Sequence, residues 1–111
     1  MAYDEGLAER LESFIPQDSG QTLTTTYMFG GLGYLLQGNF CIGIWKDCLI
    51  LRVGIEVAQS LLTQPNIKPF DITGKSMKGW AMVNPEALTE DEDLQNDIQL
   101  CFDFVQTLPK K

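Results

Sequence analysis

The sequence predicts an α+β fold, an antiparallel sheet of about five to six strands with terminal helices packed on one face. Three observations lead there. Residues 28–53 are the densest run of apolar and β-favouring residues, and two short breaks divide the run into three strands. Both ends of the chain carry apolar residues at helical spacing. Strands follow one another directly, which is the mark of hairpins and not of a parallel sheet with crossover helices.

Taken in order, Asp4 caps a first helix whose apolar stripe is Leu7, Leu11, Phe14 and Ile15, and Pro16 ends it. A polar loop spans 17–22. Leu23 to Phe29 is a first strand, broken at Gly30-Gly31. A turn at Gln37-Gly38-Asn39 follows, with Gly38 or Asn39 able to take positive φ, then a second at Lys46-Asp47.

If Lys46-Asp47 is a two-residue loop, Ile44 pairs with Leu49, Ile42 with Leu51 and Phe40 with Val53. Those six share an apolar face and form core, while Cys41, Gly43, Trp45, Cys48, Ile50 and Arg52 share a mixed face. A three-residue loop at 37–39 adds Leu36, Tyr34 and Leu32 to the apolar face, whereas a two-residue loop puts Leu35 and Gly33 there.

Gly54 closes these strands, and 55–63 reads as a short helix with Val57, Leu61 and Leu62 inward, ended by Pro65. Residues 66–75 are extended, and Met77 to Val83 is a further strand before a turn at Asn84-Pro85. The last helix opens on Thr89-Glu90-Asp91-Glu92, a capping-box pattern. Its inner face is Leu94, Ile98, Cys101, Phe102, Val105 and Leu108.

A chain of 111 residues is expected to form one domain, 1–111, with a core that needs no metal or disulfide. Hydrophobic content of 44% against 21% charged residues is that of an ordinary globular protein. No apolar run approaches the roughly 20 residues of a membrane span, and no signal segment opens the chain, so a cytoplasmic location is expected. The net charge of −7 argues against direct nucleic-acid binding, which needs Lys and Arg to neutralise phosphates. The three cysteines lack any Cys-x-x-Cys pair and are expected to be reduced and buried.

The absence of histidine removes Ser-His-Asp and Cys-His catalysis and His-ligated zinc. Thr73-Gly74-Lys75-Ser76 imitates the end of a P-loop, but Pro69 stands where its first glycine belongs and a strand follows. The acidic run from Glu86 to Asp93 fits a helix start better than a cation site. Neither catalytic, cofactor-binding nor metal-binding residues are expected. Two surface features remain. Trp45, Cys48, Ile50 and Arg52 form the candidate interaction face, and Lys68, Lys75 and Lys78, interleaved with Phe70 and Trp80, form a weak basic edge.

Met28-Phe29-Gly30-Gly31 with the hairpin after it, Arg52-Val53-Gly54, Lys68-Pro69-Phe70 and Met77-Lys78-Gly79-Trp80 together resemble the N-terminal domain of the TfoX/Sxy family. The resemblance runs from Tyr3-Asp4-Glu5 to Thr107-Leu108-Pro109. It implies a bacterial cytoplasmic protein with a two-layer sandwich similar to secretion-chaperone-like domains. It also implies a competence-regulator-like transcriptional co-regulator, of the kind that acts alongside the cyclic-AMP receptor protein, with no catalytic residues. The chain departs from the full-length regulators in ending at Lys111 without their helical C-terminal domain. It has Thr26-Tyr27 where many relatives carry basic residues.

The expected function is therefore a non-enzymatic protein-interaction domain with a transcription-related protein partner, compatible with a homodimer and without cofactor or membrane contact. The alternative is a small-molecule-binding protein or unrecognised enzyme with a pocket near Cys41, Arg52 and Trp80, in which Arg52 would activate the Cys41 thiol.

Overall fold

The computed structural model describes residues 3–15, 23–28, 30–71, 74 and 78–109. The loop at 17–22, Phe29, most of the P-loop-like stretch, Lys75 and Met77 lie outside the described residues. The first helix, α1 (Glu5–Phe14), starts as its sequence dictates. The Asp4 carboxylate accepts hydrogen bonds from the Gly6 and Leu7 N–H groups at 2.9 and 3.2 Å. It stops at Ile15, which is already extended ahead of the proline.

Four strands follow as successive hairpins: β1 (Leu23–Met28), β2 (Gly31–Leu36), β3 (Asn39–Trp45) and β4 (Cys48–Arg52). A short helix, α2 (Ile55–Leu61), leads to the edge strand β5 (Ile67–Pro69), and β6 (Trp80–Val83) returns beside β4. A 3₁₀ turn at Pro85–Ala87 precedes the long helix α3 (Asp91–Val105). The described strands form one antiparallel six-stranded sheet in the order β1-β2-β3-β4-β6-β5. The α+β expectation holds.

The β3–β4 hairpin has the expected register, with Ile42 opposite Leu51, Ile44 opposite Leu49 and Lys46 in the left-handed region at φ 56°. The β2–β3 hairpin corrects the reading of the mixed face. Its turn is the two residues Gln37 and Gly38, both at positive φ (53° and 86°), so Asn39 already belongs to β3. The register then shifts between Tyr34 and Leu35, which leaves Cys41 as a bulge residue between the Phe40–Leu35 and Ile42–Tyr34 pairs. The bulge restores the phase beyond it, so Leu32, Tyr34 and Leu36 face the helices after all.

The bulge also exchanges two side chains. Cys41 is fully buried in the helix-side core, and Phe40 points to the opposite face. Val53 enters the helix-side core from beyond the end of β4 and is not paired with Phe40.

Helix α3 packs across β3 and β4, α1 lies beside α3, and α2 covers β6. Leu11, Ile42, Ile44, Leu49, Leu51 and Leu94 are fully buried between the layers. At about 25 cal/mol per Å² of apolar surface, each such side chain contributes roughly 1.5–3 kcal/mol before its entropy cost. The start of α3 differs from the capping-box expectation. The helix begins at Asp91, with Glu90 as its cap residue and no side-chain cap bond, because the 3₁₀ turn and buried Leu88 deliver the chain one residue later. Asp91 instead pairs with Arg10 of α1 at 3.2 Å. No helix among the described residues is long and apolar enough to cross a membrane.

Candidate interaction face and adjoining cleft

The face of the sheet opposite the helices carries a second apolar cluster. Phe40, Cys48, Ile50, Phe70 and Met82 are buried in it, with Leu35, Trp45 and Trp80 half-buried around them. Pairing explains who shares this face: Gly43 stands opposite Ile50, Ile50 opposite Met82, Lys68 opposite Met82, and Arg52 opposite Trp80. Phe70, just beyond β5, turns back onto the cluster and is 0% exposed. Trp80 stacks on Phe40 with ring centroids 4.6 Å apart and on Phe70 at 5.3 Å.

Of the four residues expected to present the interaction face, Cys48 (6% exposed) and Ile50 (2%) are therefore buried beneath their neighbours. Trp45 and Arg52 remain half-buried and accessible, at opposite ends of the β3–β4 hairpin. Each of the two tryptophans is matched to a cation. The Lys46 ammonium sits 4.6 Å from the Trp45 ring centroid, and the Arg52 guanidinium 5.6 Å from that of Trp80. Lys68 joins them on β5, and Lys78 lies just before β6. The helix layer, in contrast, carries Glu5, Glu9, Glu12, Asp91, Glu92, Asp93, Asp97 and Asp103. The two layers differ in sign.

Beyond Arg52 the face opens into a cleft of about 500 Å³ between the end of β4, the start of α2 and the start of β6. Two glycines shape it. Gly54 (φ 90°) and Gly79 (φ 85°) both occupy the left-handed region, and the Gly79 carbonyl accepts hydrogen bonds from the Val53 and Gly54 N–H groups at 2.9 and 3.1 Å. A Cβ on Gly54 would come within 2.9 Å of the Phe104 ring, which forms the far wall. Arg52-Val53-Gly54 and Lys78-Gly79-Trp80, separate in the sequence, thus meet at one place. A smaller hollow of about 280 Å³ continues past Trp80 between Pro69 and α2.

This cleft brings Arg52 and Trp80 together, but Cys41 does not line it. Burial pushes the Cys41 thiol up to about 12, against a small opposing pull from the Arg52 charge. Cys101, wholly enclosed in the helix-side core, is raised still more firmly by burial. Cys48 is raised by burial and then by the Asp47 charge beside it. All three are free thiols, and none has the lowered pKa of a nucleophile.

Phe40 was not legible as a residue of this face, and Phe70, read as an aromatic of the basic edge, was not legible as a buried member of the cluster. A lone aromatic in a loop carries no periodic signal, and the bulge that turns Phe40 outward lies between two apolar residues.

Helices on one side of a six-stranded antiparallel sheet, with an aromatic and cationic cluster on the other, define a two-layer α+β domain whose sheet face carries its distinctive chemistry. The TfoX N-terminal domain family matches residues 17–105, and the chain belongs to that family. No curated protein and no solved structure matches it.

Proposed function

We propose that this domain acts without catalysis, as a protein-interaction module whose partner docks on the sheet face around Trp45 and Arg52. The observation that carries the reading is the pairing of two half-buried tryptophans with cations on the layer not covered by helices. Tryptophan and arginine are enriched among the few residues that carry most of the binding energy at protein interfaces. The cations Lys46, Arg52, Lys68 and Lys78 favour a partner surface with acidic side chains. Family membership supports a transcription-related partner, in the manner of a competence-regulator-like co-regulator working in the cytoplasm.

The test is a nuclease-treated pull-down from native lysate, wild type beside Trp45→Ala, read by mass spectrometry. The reading expects a component or regulator of transcription held by the wild type and lost by the variant, while thermal stability changes little. An empty wild-type pull-down, or one identical for both proteins, rejects it. Retention that disappears with nuclease and falls steeply with salt would mark nucleic-acid binding through the lysines instead.

A further inference from the structure

The cleft beside Gly54 and Gly79 has the features of a small-molecule site. Its volume of about 500 Å³ lies within the range of ligand pockets, and its walls are largely apolar, from Val57, Trp80 and Phe104. Its polar groups are few and of mixed sign: Arg52 and Lys78 against Glu56. Arg52 is the unusual one. It is half-buried, donates one hydrogen bond at 3.4 Å to the Phe40 carbonyl, and has no carboxylate partner among the described residues. A guanidinium held against an aromatic ring with donors to spare is suited to a planar, bidentate acceptor. Two cations and one carboxylate leave the site with a single net positive charge, which suits a monoanion better than a phosphate dianion.

We propose that this cleft binds a small monocarboxylate with an aromatic or branched aliphatic body. Its carboxylate sits on Arg52, with Lys78 at the mouth, and its body lies against Trp80, Phe104 and Val57. The glycines keep the cleft open, since a side chain at Gly54 would displace the Phe104 wall. This site shares Arg52, Lys78 and Trp80 with the proposed partner face but not Trp45, which lies at the other end of the hairpin.

The experiment is a titration of the nitrogen-15-labelled chain with 1-naphthylacetate, its neutral isostere 1-naphthylacetamide and the cation 1-naphthylmethylammonium. The chain has two tryptophans, so Trp45→Phe assigns the two indole N–H signals. The proposal expects 1-naphthylacetate to shift the Trp80 indole and the Gly54 and Gly79 amides with Kd below about 1 mM. The Trp45 indole stays in place, and Trp45→Phe binds as the wild type does. Loss of the charge-assisted contact makes the acetamide weaker by about tenfold, and the cation does not bind. Arg52→Gln abolishes the preference for the anion, and Lys78→Gln, at an exposed residue, reduces it. Equal binding of acetate and acetamide overturns the proposal, as does a shift pattern elsewhere or no shift up to about 1 mM. If Arg52→Gln fails to fold, the ligand pair on the wild type and Lys78→Gln still decides.

Discussion

Phe40 lies across the α-carbon of Gly43. A Cβ built on Gly43 would come within 2.8 Å of the Phe40 ring and of the Leu32 carbonyl oxygen. The small residue in the centre of β3 is thus what lets the ring settle against Trp80. Gly43→Ala is expected to destabilise the domain by about 1–3 kcal/mol, the usual cost of overpacking a closed site. Urea denaturation measures it, and tryptophan fluorescence should report the displaced stack. A loss smaller than about 0.5 kcal/mol would mean that the ring moves aside freely.

Asp97, half-buried on α3, has its carboxyl pushed up to about 7, first by burial and then by the Asp93 charge one turn earlier. Its folded pKa lies above the value of 3.8 taken for the free group, so between those limits the native state holds a proton that the unfolded chain has lost. The resulting penalty is absent below about pH 4, grows as pH rises, and is complete above about pH 7. Asp97→Asn should therefore exceed the wild type in stability at about pH 8, by roughly 1–2 kcal/mol, with the gap closing near pH 4. Thermal melts across that range check it, and a gap that stays constant with pH refutes the assignment.

Thiol chemistry follows burial. Cys41 and Cys101 should resist iodoacetamide in the native protein at neutral pH and react fully once it is denatured. Their native labelling rates should track global opening and rise together in destabilised variants. Rapid labelling of Cys41 in a protein with a normal melting curve would contradict its place in the core.

Tyr34 crosses from the sheet to α1, donating its hydroxyl hydrogen to Glu12 at 2.6 Å while only 2% exposed. Its phenol is raised above the ordinary tyrosine value, by burial first and the Glu12 hydrogen bond second, and should not ionise before the protein unfolds in alkali. Tyr34→Phe should cost about 1–2 kcal/mol. Combining it with Glu12→Gln should cost less than the sum of the two single changes, as a double-mutant cycle would show.

The parts of this fold that could be read from the sequence are those where a local rule has no rival. Lys46-Asp47 between two alternating strands leaves one sensible register, and Asp4 ahead of Leu7 and Leu11 leaves one sensible helix start. The bulge at Cys41 was hidden because Phe40 and Cys41 are both apolar and can each be buried on either side. The capping box was misplaced because Thr89, Glu90 and Asp91 can all precede a helix, and the choice is made by Leu88 entering the core. The cleft was half legible. Arg52 and Trp80 are where the sequence placed a pocket, but Gly54, Gly79 and Phe104 acquire their role only when separate segments meet.

The β2–β3 hairpin could be closed in two ways that agree at every pair from Tyr34–Ile42 outward. One winds a loop of three residues and sends Phe40 toward the helices. The other, observed, winds two residues and bulges at Cys41, which sends Phe40 the opposite way. The observed closure sets Phe40 against Trp80 and offers its carbonyl to Arg52. A tryptophan far along the chain thus supports the way an early turn is wound, and disturbing the stack should be felt as a change at Gln37 and Gly38.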